Sequence, residues 1–433
     1  MHAYFSGIGG TGIGPLALIA HEAGFQVSGS DKQDSQHIQY LRKQGITNIA
    51  IDQSYEHIAK VHAADPIDWL VYTSALPMEQ PDAPELRFAR DNNVRSGKRD
   101  LFLSAFIEAE KLQMIGIAGT HGKTTTTAMA IWLFQQIGKP ASYSVGAKIS
   151  FGEMGHYDPE AKFFIYEADE FDRNFLSFNP NVAIITGIDW DHPDIYPTRK
   201  EYYEAFRTFL GQSSQAVLWQ ADIDRLKLTP SSETLVLDNN DPLIATELTL
   251  PGVVNRQNAW EVANAVHKIY DQISLRDLLG YLNNFPGVSR RFEQIKPHLL
   301  YSDYAHTPPK IRGALQTARE TAGDNVVVIY EGLHNTRQHF IKKDIVHLFD
   351  DIKRLYIVPS YLAREDKNLP LLTPSDLKEL LSPKAQSHTE TAELDQQLHT
   401  SIEKHLKEGA LVLCLTAGGG YSLDEWLRQN FPN

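Results

Sequence analysis

Met114-Ile115-Gly116-Ile117-Ala118-Gly119-Thr120-His121-Gly122-Lys123-Thr124-Thr125 decides the fold class. An apolar run ends on glycine and hands over to a threonine-rich helical stretch, which is how a parallel βα unit reads in sequence. A Lys-Thr pair after glycine at such a junction sets an ammonium against β- and γ-phosphates and a hydroxyl against Mg²⁺, while backbone N–H groups cradle the rest. The first glycine of the usual G-x-x-x-x-G-K spacing is Ile117 here, so the loop is a variant. It predicts ATP binding by Gly119, Thr120, His121, Gly122, Lys123, Thr124 and Thr125.

Outward from this stretch the same pattern starts twice more, at Tyr4-Phe5-Ser6-Gly7 and at Asn325-Val326-Val327-Val328-Ile329-Tyr330. Three such starts in 433 residues predict three α/β domains, each with its own mostly parallel sheet. The boundaries read as 1–104, 105–294 and 295–433: a Rossmann-like N-terminal domain, a central phosphate-loop ATPase domain, and a Rossmann-like C-terminal domain. In the first, a helix near Pro15–Ala23, a strand at Phe25–Ser28, a helix around Gln36–Gln44 and a strand at Trp69–Tyr72 follow. In the second come strands at Phe163–Glu167, Val182–Thr186 and Ala216–Trp219 and a helix from Asn255 to Ile269. Leu299–Tyr301, Leu355–Val358 and Leu411–Leu415 are the further strands of the third.

Gly7-Ile8-Gly9-Gly10-Thr11-Gly12 matches G-x-G-x-x-G between a strand and a helix, with Asp31 closing the next strand. A tight turn there lets backbone N–H groups and a helix dipole meet a diphosphate while a carboxylate reaches a ribose hydroxyl, although the pattern alone does not choose the nucleotide. Glu167-Ala168-Asp169-Glu170 leaves the carboxyl end of an apolar strand, and its hard oxygens suit Mg²⁺. Asp189-Trp190-Asp191-His192 follows an adjacent strand and brings His192 to the same edge.

Charge and composition bound the function. Lys plus Arg number 41 against 54 Asp plus Glu, a net charge of −13 and the wrong sign for binding bulk nucleic acid. The one cysteine, Cys414, rules out an intrachain disulfide and lies in an apolar run that reads as buried strand. There is no run of membrane-spanning length and no basic segment before the Gly7 turn, so the reading is a cytoplasmic protein with no membrane partner.

Taken in order, the phosphate loop, Glu167-Ala168-Asp169-Glu170, Asp191-His192, Asn255 with Asn258, Arg290-Arg291-Phe292 and Asp303-Tyr304-Ala305-His306-Thr307-Pro308 resemble the Mur ligase family of peptidoglycan synthesis, and the resemblance runs the length of the chain. It implies an N-terminal domain for a UDP-sugar, a central ATPase domain, and a C-terminal domain that brings in an amino acid or peptide. Lys123 and Thr124 would then hold the γ-phosphate and Mg²⁺, with Glu167 and His192 at a second metal position. Asn255 and Asn258 would face adenine, Arg291 would reach the phosphates, and Asp303 would take the ATP ribose. His306 and Arg337 would meet the amine substrate. Gly7, Gly9, Gly10, Thr11, Gly12, Asp31 and Ser74 would hold the UDP-sugar. The implied catalytic set is Lys123, Glu167, His192, Arg291 and His306, and the implied chemistry is amide formation through an acyl phosphate.

Within the family, the opening loop, Ser28-Gly29-Ser30-Asp31 and the acidic motif look most like the branch that adds L-alanine to UDP-N-acetylmuramate. His334-Asn335-Thr336-Arg337 and Gly418-Gly419-Gly420 look closer to the branch that attaches an alanyl-glutamyl-diaminopimelate tripeptide during cell-wall recycling. The spacing from Asp169 to Asp191, with no insertion, favours the first. Several relatives carry a carbamylated lysine after the Asp-His motif. The helix expected at Glu201–Leu210 has none, and Arg207 there stays protonated.

Overall fold

The computed structural model describes residues 1–192, 195–295, 297–362 and 365–432. Three sheets form among them. The chain packs as two compact units, Met1–Leu248 with Gln257–Pro286, and Thr249–Arg256 with Gly287–Asn433.

The first unit carries two sheets. The N-terminal one is parallel, in the spatial order Ile49–Ala50, Gln26–Ser30, His2–Ser6, Trp69–Tyr72, Arg95–Lys98. Its order reverses beside His2–Ser6, so the Gly7 turn and the loop carrying Ser74 leave neighbouring strands at the switch point where α/β folds bind ligands. The central sheet runs Thr234–Leu237, Gln215–Trp219, Val182–Ile185, Gln113–Ala118, Phe163–Glu167, Ala141–Ser144, Gly155–His156. It is parallel except for the last pair. Gln113–Ala118 lies between Val182–Ile185 and Phe163–Glu167, so the phosphate loop, the acidic motif and the segment leading to His192 leave three adjacent strands at the same edge.

One apolar cluster runs through both sheets, which is why they pack as one unit. The helix Arg99–Ala109 joins them: Phe102 meets the rings of Phe5, Phe25 and Trp69, while Phe106 meets Phe25 on one side and Tyr157 on the other. Gly155 lies so close to Pro15 that a Cβ would come within 2.9 Å of its Cα, and Glu22 accepts from the Tyr157 amide at 2.6 Å.

The second unit's sheet runs Glu293–Ile295, Leu300–Asp303, Leu411–Leu415, Val326–Leu333, Arg354–Tyr361, Thr389–Thr391, with the first strand antiparallel. Strand period sorts its residues onto two faces. Val326, Val328 and Tyr330 join one core, and Val327, Ile329 and Cys414 the other. Cys414 is buried, as its apolar run predicts. Among the described residues no helix is long and apolar enough to cross a membrane.

Some bounds differ from the sequence reading. The helix expected at Glu201–Leu210 runs from Arg199 to Gln212 because Thr198 caps it by accepting from the Glu201 amide, so exposed Lys200 falls in its first turn. Arg207 is engaged elsewhere, with the Leu226 carbonyl at 2.8 Å and Glu204 at 2.7 Å. The short strands Ile49–Ala50, Ala141–Ser144 and Arg95–Lys98 were not legible from apolar pattern.

Candidate active site

Gly119 has φ +143° and passes the end of the neighbouring strand so closely that a Cβ would lie 3.0 Å from the Gly187 carbonyl oxygen. No side chain larger than hydrogen fits, and the Thr120 amide donates to that carbonyl at 2.9 Å. Gly122, at φ +80°, caps the helix Lys123–Gln136 without a side chain of its own, which leaves the first-turn amides of the helix facing the loop. Buried Asn258, on the helix Val253–Ile269, sits against Gly122: a Cβ there would be 2.8 Å from the Asn258 Oδ1. Thr120 donates to the Asp189 carbonyl at 2.6 Å and meets the Tyr202 hydroxyl at 2.8 Å, tying the loop to the segment that carries His192. His121 Nε2 stands 3.7 Å from Asp189.

Across the mouth of the loop, the Lys123 ammonium donates to the Gly119 carbonyl and to Glu170 Oε2, each at 2.6 Å. His192 Nε2 approaches the other oxygen of Glu170 at 3.6 Å. Glu170 therefore lies between the Lys123 ammonium and the His192 ring, and its backbone carbonyl accepts from the Tyr196 hydroxyl at 2.6 Å. Burial would lower the Lys123 ammonium, yet the carboxylates of Glu170, Asp169 and Glu167 hold it above its ordinary value. Burial would likewise raise Glu170, and Lys123 with His192 hold it down at about 2. Burial also opposes charge on His192, and Glu170 and Asp191 raise it against that cost. Asp169 goes the other way: burial and the Glu170 charge push its carboxyl up despite Lys123 and Arg99. Sequence reading named the motif but passed over Glu170 as a site residue. Only the fold shows that the fourth position of the motif reaches Lys123.

Glu167, the first carboxylate of the motif, accepts from the Thr124 hydroxyl at 2.8 Å and from the Gly146 amide at 2.9 Å. A hydroxyl and a carboxylate side by side at the helix start are hard oxygen donors of the kind Mg²⁺ takes. The described residues contain no group of three or more His, Cys, Asp or Glu side chains able to cage a metal. An ion held by one or two side chains and by substrate phosphates needs no such cage.

In the N-terminal loop, Gly7 has φ +75° and Gly10 donates back to its carbonyl at 3.0 Å. Asp31 accepts from the Gly9 amide at 2.8 Å. A Cβ on Gly9 would lie 2.9 Å from both Asp31 Oδ2 and Ile38 Cγ1, so this glycine makes room for the protein's own side chains. Thr11 is exposed in the turn. The helix Gly14–Glu22 then begins with no side-chain cap. Ser74 is buried and its hydroxyl meets Asn174 Oδ1 at 3.3 Å. Below the loop, the buried carboxyl of Glu85 takes hydrogen bonds from the hydroxyls of Tyr4, Ser6 and Ser30.

The other predicted residues lie in the second unit. Asp303 ends its strand with one oxygen on the Phe292 amide and the other on the Ala305 amide, both at 2.7 Å. Burial pushes its carboxyl up. Arg291 lies over the Tyr304 ring, 4.7 Å from its centroid. His306 Nδ1 donates to the Tyr304 carbonyl at 2.8 Å, which orients the ring with Nε2 as its basic nitrogen. Asn255 donates to the Pro251 carbonyl at 2.8 Å. Arg337 is half-buried on the helix Asn335–Ile341. Buried Glu331 accepts from Thr416 at 2.6 Å and from the Leu423 amide at 2.9 Å.

Family models match in chain order: "Mur ligase family, catalytic domain" on residues 2–111, "Mur ligase middle domain" on 117–236, and "Mur ligase, glutamate ligase domain" on 290–418. A UDP-N-acetylmuramate–L-alanine ligase from Gloeobacter violaceus is 30% identical over 449 aligned positions, covering 96% of this chain and 93% of its own. The crystal structure of a UDP-N-acetylmuramate–alanine ligase from Thermotoga maritima superposes with a TM-score of 0.74 at 26% identity, over 99% of this chain and 98% of that one. A murein peptide ligase from Psychrobacter arcticus shares the fold, with a TM-score of 0.66 at 22% identity over 100% and 99% of the two chains.

Proposed function

The chain belongs to the Mur ligase family, and from that premise we propose that it joins L-alanine to the carboxylate of UDP-N-acetylmuramate, with ATP converted to ADP and phosphate, in peptidoglycan precursor synthesis. The observation that carries this reading is a phosphate loop whose lysine and threonine are each paired with a glutamate of the same acidic motif, in a chain that matches alanine-adding relatives from end to end. Work in the cytoplasm is part of the proposal, as is the division into a UDP-sugar part at 1–104, an ATP part at 105–294 and an amine part at 295–433.

A carboxylate is a poor acyl donor, so it must first gain a leaving group. One of its oxygens attacks the γ-phosphorus as the bond to ADP breaks, giving an acyl phosphate. The amine then attacks the acyl carbon, and the tetrahedral adduct collapses with loss of a proton and of phosphate, which departs with the original carboxylate oxygen. Lys123 turns from Glu170 to the γ-phosphoryl and offsets its charge. Glu170, with the Gly119 carbonyl, holds that ammonium in place between turnovers, and His192 approaches the other oxygen of Glu170. Thr124 and Glu167, and from the family resemblance His192, would hold Mg²⁺, which would supply neutralisation of phosphate charge. From the family resemblance, Asn255 and Asn258 take adenine, Asp303 the ribose and Arg291 the phosphates, while His306 and Arg337 receive the amine. The Gly7–Gly12 loop, Asp31 and Ser74 hold the UDP-sugar.

Carboxylate-¹⁸O UDP-N-acetylmuramate tests the route. With ATP and L-alanine, the expected products are an alanylated UDP-sugar and one ¹⁸O in each phosphate released. Unlabelled phosphate would overturn the acyl-phosphate step.

A further inference from the structure

Arg99 follows directly on the strand Arg95–Lys98 and touches both halves of the first unit. Its Nη1 donates to the Gly12 carbonyl at 3.3 Å, its Nε meets Asp100 at 3.3 Å, and its Nη2 meets Asp169 at 3.4 Å. Gly12 closes the N-terminal glycine loop. Asp169 stands between Glu167, which faces Thr124, and Glu170, which holds Lys123. One guanidinium thus spans from the diphosphate loop to the acidic loop of the ATP site. A Cβ on Gly12 would press on the guanidinium, 3.1 Å from its Cζ, so the absence of a side chain there lets Arg99 lie against the loop.

Two further contacts hold the segment that follows the acidic motif. Lys98 pairs with Asp172, and Ser74 meets Asn174 at 3.3 Å. Between them Asp172 and Arg173 hold φ of +51° and +57°, a conformation that non-glycine residues keep only where their surroundings impose it. Residues at the carboxyl edge of the first sheet therefore set the shape of the segment that follows Glu167.

Contacts at 3.3–3.4 Å are long for a charge-assisted hydrogen bond, which settles nearer 2.7–2.9 Å. Arg99 is shared among three acceptors, and a diphosphate on the glycine loop offers the fork a better fit than any of them. We propose that Arg99 is a positioning residue that couples the two nucleotide sites: the diphosphate of the UDP-sugar draws the guanidinium off Asp169, and the released carboxylate becomes a further hard oxygen for the cation that travels with ATP. The inference rests on reading Gly7–Gly12 as the UDP-sugar loop. Occupancy of either nucleotide site then favours occupancy of the other.

Titration calorimetry on the full chain tests it, with a non-hydrolysable ATP analogue and Mg²⁺, in the presence and absence of UDP-N-acetylmuramate. The wild type is expected to bind the analogue at least about 5-fold more tightly when the UDP-sugar is present, and reciprocally. Arg99→Lys keeps the charge but loses the fork, and Asp169→Asn cuts the link without touching the Asp100 pair. Each should bring the factor below about 2, and the double variant should go no further than either single one. A wild-type factor of one, or a factor unchanged in both variants, overturns the coupling. So does a fall in thermal midpoint with the factor intact, which would leave Arg99 with a structural role alone. Failure of the wild type to bind the UDP-sugar would overturn the reading of the loop, and this inference with it.

Discussion

Lys123 has its ammonium aimed across the mouth of the phosphate loop by Glu170 and the Gly119 carbonyl. Removing it takes away charge compensation at the transferring phosphoryl but leaves the N-terminal glycine loop intact. Lys123→Ala should therefore lower turnover by at least about 100-fold while UDP-sugar affinity stays within a few fold. Steady-state phosphate release and direct binding measurements separate the two, and turnover near wild type would remove Lys123 from the chemistry. Arg337 carries a second residue-scale expectation. An amino acid presents a carboxylate beside its amine, and a guanidinium takes that carboxylate in two parallel hydrogen bonds where lysine offers a point charge. Arg337→Lys should raise the amine KM by about 10-fold or more with ATP and UDP-sugar KM held, the scale of about 1.5–3 kcal/mol for a charge-assisted bond. An unchanged amine KM would move the carboxylate contact elsewhere.

The helix Val253–Ile269 shows at the scale of one element what sequence could and could not reveal. Its periodicity was legible, and its asparagines were read as facing adenine; Asn258 lies beside Gly122 of the phosphate loop. Glu261, one turn on, reads in sequence as an ordinary polar helix position, yet it is fully buried. Its carboxyl oxygens have no well-formed partner among the described residues, the Trp219 indole giving slight relief, and burial raises its carboxyl well above the ordinary range. A group whose folded value is raised adds stability below its unfolded value of about 4.3, and that stability is lost as pH rises through the folded value. Glu261→Met, of similar volume, should therefore stabilise the fold at neutral pH by about 1–3 kcal/mol, with a smaller gain near pH 4. Urea unfolding at the two pH values checks both sign and trend, and a destabilised variant at neutral pH would mean the carboxyl has an essential partner. Long apolar strands were legible because burial on both faces leaves a continuous run of apolar residues. Ile49–Ala50 and Arg95–Lys98 were not, because a two-residue edge strand and a polar one owe their pairing to neighbours distant in sequence. Glu170 and Arg99 escaped notice for the same reason: their partners Lys123, Gly12 and Asp169 lie 47, 87 and 70 positions away.

Across the whole molecule, three sheets each end in loops that sequence reading tied to substrates: the Gly7 turn to a UDP-sugar, the Gly119 turn to ATP, and the third sheet's Asp303 segment and His334–Arg337 to the ATP ribose and the amine. The net charge of −13 fits partners that are small and specifically held, not a polyanion bound over a broad basic face. The third of these regions is the one proposed to select L-alanine. Phosphate release with saturating ATP and UDP-N-acetylmuramate, measured in parallel with L-alanine, glycine, L-serine and the L-alanyl-γ-D-glutamyl-diaminopimelate tripeptide, tests it most directly. The highest kcat/KM is expected with L-alanine, with one alanylated UDP-sugar formed per phosphate. A preference for the tripeptide, with L-alanine left unreacted, would contradict it.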